Sequence, residues 1–301
     1  MSFPYITDLL NAAFGTHWDL PIPVFGVVVV AAIVLATTVA RREVKRYELL
    51  GRLPGSTNAL VGDLALVSVV AGVVGARVFH ILDYPGQFID DPASLIFTRA
   101  GFSIFGGLCF GILAGVLFLR RHSVPIVPML DATAPSMMLG YAIGRLGCQL
   151  AGDGDWGIVA NMTLKPDWLP DWLWAQTYEG NIVGVTIPTP GVYPTPIYES
   201  VMALAIFGVL WALRSQTNRT GYLFSAYLLL SGFERLLIEK MRINVEHHVL
   251  GVSITQAQAI SLLLVVAGCV GVLATLRTGR LWVKIAFSVG VLSALSACVP
   301  F

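Results

Sequence analysis

The chain has 301 residues, of which 56% are hydrophobic and only 12% are charged, and its mean hydropathy is +0.76. Soluble domains contain about 25% charged residues, so this composition excludes an ordinary soluble domain. The formal net charge is +1 at pH 7 and no basic stripe is present, so nothing indicates a nucleic-acid partner.

Eight apolar segments follow one another along the chain, each long enough to cross a hydrocarbon layer about 30 Å thick. Backbone groups in lipid must bond within their own segment, which favours helices, and the short alternating strands of a membrane barrel are absent. We therefore predict an all-α, polytopic membrane helical bundle that forms a single domain over residues 1–301. The predicted spans are about 21–40, 59–82, 102–119, 125–150, 195–213, 220–238, 251–276 and, interrupted by Lys284, 281–300.

The basic residues between these spans predict an orientation. Twelve Lys and Arg residues fall on one side and four on the other, so the basic side is expected to be cytoplasmic and the N-terminus to lie outside. Residues 1–20 lack the basic start of a cleaved signal peptide, so the first span is expected to direct insertion. The long connection at about 151–194 then faces outside, and its four tryptophans suit a membrane–water interface.

Three arginines remain inside predicted spans: Arg77, Arg145 and Arg235. A charged side chain at the bilayer centre costs at least about 2.5 kcal/mol on insertion scales, which makes each one a functional hypothesis. All three are predicted at outer helix ends, as are Glu199, Glu234 and Glu239. Each arginine can simply pair with a carboxylate and hold helices together. Three arginines at one depth, with fewer deep acids, instead favour a bound anion, and an outer-leaflet phosphate suits the guanidinium fork.

Helical spacing adds detail to this cluster. Arg235 and Glu239 are four residues apart and Arg145 and Cys148 three apart, so each pair can share a helix face. The stretch Gly152–Gly157 matches GxGxxG, but it follows a membrane helix rather than a strand, which excludes a dinucleotide site. Asp153 and Asp155 alone make a poor cation site, so we predict no metal and interpret them as turn residues or arginine partners.

Several motifs occur in one order along the chain and together cover most of residues 21–276. They are GARVFHILDYP from Gly75, GFSIFGGL at 101–108, Gly144-Arg145-Leu146-Gly147, PTPIYE ending at Glu199, and ERLLIEKMR at 234–242. In these motifs the chain resembles the prolipoprotein diacylglyceryl transferases of bacterial lipoprotein maturation.

The resemblance implies an enzyme of the bacterial cytoplasmic membrane with seven family-type helices, to which 281–300 would add an eighth, and an outward-facing site. It would move an sn-1,2-diacylglyceryl group from phosphatidylglycerol, or another anionic phospholipid, to the lipobox cysteine of a prolipoprotein signal-peptide segment. Glycerol 1-phosphate would leave, and no cofactor is needed. The implied catalytic residues are Arg145, Arg235, Glu199 and Glu239. The implied substrate-binding residues are Arg77, Arg242, Gly144, Gly147, Cys148, Asp153, Asp155 and the position of Phe105.

Three positions depart from the family pattern. The histidine of its HGGL motif, proposed to assist thiol deprotonation, is Phe105 here, its early tyrosine is Phe25, and its signature asparagine is Cys148. Phenylalanine cannot accept a proton, so another base is needed. His80, one turn after Arg77, is the nearest candidate in sequence, followed by His247 and His248.

Two other functions remain open. Phe105 motivates a divergent paralogue that moves a phospholipid-derived group to a different acceptor, such as a hydroxyl or amine. A transporter for an anionic lipid or solute is the third reading. Inverted repeats and broken helices at the midplane would support it, and the sequence shows neither.

Overall fold

The computed structural model describes residues 2–93, 103–215, 219–243, 246–249 and 252–276, and these are mostly helical. Six of the described helices are long and apolar enough to cross a membrane, which confirms a polytopic helical protein. The helices are α1 (Ile6–Phe14), α2 (Val24–Leu49), α3 (Thr57–Asp83), α4 (Pro85–Asp90), α5 (Ile104–Arg121), α6 (Ile126–Ala151), α7 (Thr195–Leu213), α8 (Tyr222–Glu239) and α9 (Gln256–Leu276).

A described helix lies at each of the first seven predicted spans, with differences at α2, at α8 and at the start of α9. The six apolar helices are α2, α3, α5, α6, α7 and α9. Helix α8 matches the predicted span 220–238, but it holds three charged residues within its 18 and is not among the six. The span predicted at 251–276 begins too early, because its first residues form a strand. The segment 281–300 lies outside the described residues.

That strand belongs to an antiparallel hairpin between α8 and α9. Strand β1 (Glu246–Val249) pairs with β2 (Val252–Thr255), with Glu246 opposite Thr255 and Val249 opposite Val252. The second strand of the hairpin, β2, is short and apolar. Hydropathy alone cannot distinguish such a strand from the start of a membrane helix. The hairpin ends at Thr255, where α9 begins.

Helix α2 continues well beyond the predicted end at residue 40. Its last turns carry the basic segment from Arg41 to Arg46. Ion pairs between residues one helical turn apart stabilise these turns. Arg46 pairs with Glu43 at 2.9 Å and Lys45 with Glu48 at 3.4 Å, the spacing that stabilises a helix surface. The helix therefore continues past its apolar part, because ion pairs between its own side chains stabilise these last turns.

The described chain divides into two compact units, which are treated separately below. The first unit comprises Met1–Val39, Ala134–Asn218 and Ala226–Val266, and the second comprises Ala40–Thr133, Arg219–Ser225 and the described residues from Ala267. The second unit contains a buried apolar cluster: Ala40, Val44, Tyr47, Leu53, Val61, Leu119, Val124, Met129 and Ala132. It also contains the close packing of α3 against α5.

Glycines permit that close packing. A Cβ atom added at Gly75 of α3 would lie 2.5 Å from the carbonyl oxygen of Gly106 on α5, and one added at Gly106 would clash with the Gly75 carbonyl in return. Small residues let helix backbones approach in membranes, where packing rather than the hydrophobic effect drives association. Gly106 of the GFSIFGGL stretch thus permits the helix contact.

In the first unit, the connection between α6 and α7 folds back on its own ends. It contains two short 3-10 turns, Met162–Leu164 and Asp171–Leu173. The Gly157 amide donates to the Tyr193 carbonyl at 2.9 Å, and the Ile158 amide donates to the Met241 carbonyl at 2.8 Å. These bonds place the beginning of the loop beside the start of α7 and the chain that follows α8.

Candidate functional site

The first unit gathers charged side chains from three helices and one loop. Helix α6 carries Arg145, α7 carries Glu199, and α8 ends with Arg235 and Glu239. Two further charges follow these helices, Asp155 in the loop after α6 and Arg242 just beyond α8. We call these six residues the arginine cluster: Arg145, Asp155, Glu199, Arg235, Glu239 and Arg242.

Glu199 lies at the centre of the arginine cluster. Its side chain is completely buried, and it forms ion pairs with all three arginines. Arg145 pairs with its Oε2, while Arg242 and Arg235 reach its Oε1 at 3.1 and 3.4 Å. The Tyr141 hydroxyl, one turn before Arg145, donates to Oε2 at 3.0 Å. A single carboxylate therefore holds three guanidinium groups in one place.

Asp155 is the second anion of the cluster and comes from the loop. It pairs with Arg145 and, through Oδ1, with Nη2 of Arg242 at 2.7 Å. Its side chain is 36% exposed, whereas that of Glu199 is not exposed at all. Partial burial by itself would raise the pKa of Asp155, but the guanidinium groups of Arg145 and Arg242 hold it below its ordinary value.

Glu239 completes the cluster at the end of α8. Its Oε2 lies 3.3 Å from Nη2 of Arg235, four residues earlier, so the pair predicted from helical spacing is found. The Thr255 hydroxyl donates to the other oxygen, Oε1, and also accepts the Gln258 amide at 3.1 Å. Thr255 thus joins the first turn of α9 to the acid that orients Arg235.

The charges of the cluster balance. Three arginines meet three carboxylates in the first unit, whereas the sequence predicted more arginines than deep acids. That expectation was wrong for this unit, because the loop after α6 folds back and supplies Asp155. An incoming anion must therefore share the guanidinium groups with a carboxylate, or displace one.

Cys148 lies beside the cluster, one turn after Arg145. Its thiol is buried, and Nη1 of Arg145 lies 3.6 Å from its sulfur, which confirms the predicted shared face. The Cys148 sulfur and carboxylate oxygens of Asp153 and Asp155 lie within 4.8 Å of one another, a spacing that a metal ion can bridge. Asp155 is already bound by two arginines, so a cation would compete with them.

The glycines flanking Arg145 differ in their surroundings. A Cβ at Gly144 would meet nothing within 4 Å, whereas one at Gly147 would lie 3.2–3.3 Å from Val28 and Phe25 of α2. Gly147 therefore permits helix packing against Phe25, the residue at the family's tyrosine position. The substrate-binding roles of Gly144 and Gly147 stay predictions.

Three residues predicted for the site belong to the second unit: Arg77, His80 and Phe105. Arg77 and Phe105 are partly exposed on α3 and α5. The His80 ring packs edge-on against Tyr84 at 5.1 Å between centroids. Their roles in the site stay predictions, as do those of His247 and His248, whose backbone lies in β1.

Sequence reasoning missed the groups that hold the loop in place. Gln149 donates to Gln176 Oε1 at 2.7 Å and accepts from the Tyr178 hydroxyl at 2.7 Å. Burial raises the pKa of Tyr178 above its ordinary range, so this donor stays protonated. Tyr141 was missed as well, although its position four residues before Arg145 on one helix face would have pointed to it.

Comparison with known proteins gives consistent matches. A family model described as prolipoprotein diacylglyceryl transferase matches residues 12–274. The chain is 30% identical over 267 residues to the phosphatidylglycerol–prolipoprotein diacylglyceryl transferase of Leptospira interrogans, covering 80% of this chain and 77% of the relative. It is 31% identical over 264 residues to the protein of that name from Shouchella clausii, covering 86% and 87%. The relative from Corynebacterium efficiens is 30% identical over 273 residues, covering 87% and 79%.

Proposed function

The chain belongs to the prolipoprotein diacylglyceryl transferase family, and we propose that it moves an sn-1,2-diacylglyceryl group from phosphatidylglycerol to the thiol of a prolipoprotein lipobox cysteine. The acceptor sulfur attacks the glycerol carbon that carries the phosphate, the carbon–oxygen bond breaks, and glycerol 1-phosphate leaves. The observation that carries this proposal is the set of three arginines held around Glu199.

The arginines suit the charge that this reaction develops. As the carbon–oxygen bond breaks, negative charge grows on the leaving phosphate, and guanidinium groups fixed in advance stabilise it without reorganising. Arg145 and Arg235 clamp the lipid phosphate, and Arg235 is the most exposed arginine of the cluster, at 27% against 10% for Arg145 and 12% for Arg242. Glu199 and Glu239 orient these two arginines, and Arg77 and Arg242 assist in binding the donor lipid.

The location proposed for this activity follows the sequence. We place the protein in a bacterial cytoplasmic membrane with its N-terminus outside and seven family-type helices, to which the segment 281–300 adds an eighth. Residues 1–301 then act as one membrane domain with the loop at 151–194 facing outward. Trp168 and Trp172 of this loop are exposed, as expected of side chains at a membrane interface.

Arg145→Ala tests the proposal. In a membrane assay with labelled phosphatidylglycerol and a lipobox peptide, we expect thioether formation to fall by about 10²–10³-fold, the effect of removing one charge-stabilising group. Arg120→Ala is the matched control, because Arg120 is an exposed residue at the end of α5. Both variants should insert normally. Undiminished transfer by Arg145→Ala would refute the assignment.

A second candidate shares the donor and differs in the acceptor. Phe105 at the family's histidine position and Cys148 at its asparagine position favour a paralogue that serves a hydroxyl or amine acceptor. The same assay separates the two functions. A labelled product that is not the thioether peptide, and that Arg145→Ala does not form, would favour the alternative acceptor. Phosphatidylglycerol moved intact, with no bond broken, would favour a transporter.

A further inference from the structure

Glu234 is a buried carboxylic acid that the arginine cluster does not use. Glu234 directly precedes Arg235 on α8, and only 4% of the surface of Glu234 is exposed. Its Oε1 has no hydrogen-bond partner among the described residues, and no ion pair joins it to any charged group in that part of the chain. Burying a carboxylate without a partner is strongly unfavourable, so such a group inside a membrane helix is a functional candidate.

The surroundings of Glu234 place it at the edge of the cluster. The Glu234 carboxylate interacts electrostatically with five neighbouring groups: Tyr141 and Arg145 of α6, Tyr227 and Arg235 of α8, and Arg242 beyond α8. The ion pairs of the three arginines run to Glu199, Asp155 and Glu239 instead. Glu234 therefore lies beside the arginine cluster without taking part in its ion pairs, and its Oε1 remains available to a donor that enters the site.

The proposed reaction needs such an acceptor. The thiolate is the nucleophile, and a free cysteine, with a pKa of about 8.5, is mostly protonated at neutral pH. The residue at the family's histidine position is Phe105, which cannot take a proton. A buried carboxylate whose oxygen has no hydrogen-bond donor can act as a general base when the thiol comes within hydrogen-bond reach of that oxygen.

We propose that Glu234 accepts the proton of the acceptor thiol, an assignment that rests on the proposed function. The S–H bond breaks and its proton passes to Oε1 of Glu234, while the sulfur forms a bond to the glycerol carbon. The carbon–oxygen bond breaks, and its electron pair leaves on the phosphate of glycerol 1-phosphate. The proton then passes from Glu234 to water or to the departing phosphate, which restores the carboxylate.

The test compares Glu234→Gln with Glu234→Asp. Glutamine keeps the shape and removes the base, whereas aspartate keeps the base and shortens the side chain. For a proton acceptor we expect kcat at pH 7 to fall by about 10²–10⁴-fold in Glu234→Gln and less in Glu234→Asp. A purely structural role predicts the reverse order, because glutamine fills the space better. Glu179→Gln, in an exposed part of the outer loop, is the control and should match the wild type.

The pH profile gives an independent readout. Above pH 8.5 the solution itself supplies thiolate, so the deficit of Glu234→Gln should shrink by at least 10-fold between pH 7 and 9.

Three results would overturn the assignment. Wild-type kcat in Glu234→Gln at pH 7 would do so, as would a deficit that is constant with pH and accompanied by weaker binding of phosphatidylglycerol. If the wild type itself forms no thioether, the proposed function fails and the assignment fails with it. Transfer by the wild type together with full activity of Glu234→Gln refutes the assignment alone.

Discussion

Replacing Glu199 with glutamine would test whether one carboxylate holds the arginine cluster together. The change keeps the shape of the side chain but removes the charge that pairs with Arg145, Arg235 and Arg242. Asp155 and Glu239 would then be the only acids left in the cluster. Three guanidinium groups crowded around two carboxylates repel one another, and the side chain at the centre is fully buried.

The structure indicates the size of the effect. Removing one partner of a buried ion pair destabilises a protein by about 3–5 kcal/mol, because the other charge stays buried. Glu199→Gln should fall in that range. Asp155→Asn is the matched comparison, since it removes one carboxylate from the same arginines but from a side chain that is 36% exposed. Water reaches this carboxylate, but its partners Arg145 and Arg242 are only 10% and 12% exposed, so the loss should be measurable and smaller than that of Glu199→Gln.

The assay is equilibrium unfolding in mixed micelles of increasing SDS content, followed by tryptophan fluorescence. Added phosphatidylglycerol should also stabilise Glu199→Gln more than the wild type, because its phosphate can bind the guanidinium groups that residue 199 no longer neutralises. Equal losses for Glu199→Gln and Asp155→Asn, or a loss under 1 kcal/mol for Glu199→Gln, would show that Glu199 does not organise the cluster.

Two further predictions concern helix packing and pH. Gly75→Ala should cost about 1–3 kcal/mol by overpacking α3 against α5, because the new Cβ would lie 2.5 Å from the Gly106 carbonyl oxygen. Gly208→Ala in α7 meets nothing within 4 Å and should be neutral or stabilising by up to about 1 kcal/mol in the same unfolding assay. Since folding lowers the pKa of Asp155, its stabilisation of the loop should be complete above about pH 4, the unfolded value, and lost as pH falls through the lower folded value. Limited proteolysis of the loop against pH should show this loss in the wild type, and a pH-independent cleavage rate in Asp155→Asn.

Length and hydropathy were sufficient to predict the long helices of the described chain. The spans expected at 59–82, 125–150 and 195–213 agree with α3, α6 and α7 within a few residues, because a run of apolar side chains in lipid leaves the backbone no alternative to a helix. Hydropathy failed at the β hairpin and at the basic end of α2. In both places local hydrogen bonds or ion pairs, rather than lipid, determine the structure.

The site was predictable where its contacts lie within one helix. Helical spacing pointed to the pair Arg235–Glu239 and to Cys148 beside Arg145, and both contacts are found. Contacts across the loop were not predictable, because nothing in the spacing shows that the turn after α6 folds back. Composition and position did suggest Asp155 as an arginine partner, and its pairs with Arg145 and Arg242 confirm that interpretation, but they did not show which arginines it would reach.

The unequal exposure of the two central acids bears on how a lipid phosphate would enter. Glu199 is fully buried and shared by three arginines, whereas Asp155 is 36% exposed and bound by two. Displacing Glu199 would leave a buried carboxylate unpaired at a cost of several kcal/mol, whereas the carboxylate of Asp155 can be solvated when a phosphate takes its place on the arginines. Under the proposed function the phosphate therefore takes the place of Asp155, and donor binding is coupled to the loop that carries it. Glu199 stays in place throughout, which keeps Arg145 and Arg242 fixed while one anion replaces the other.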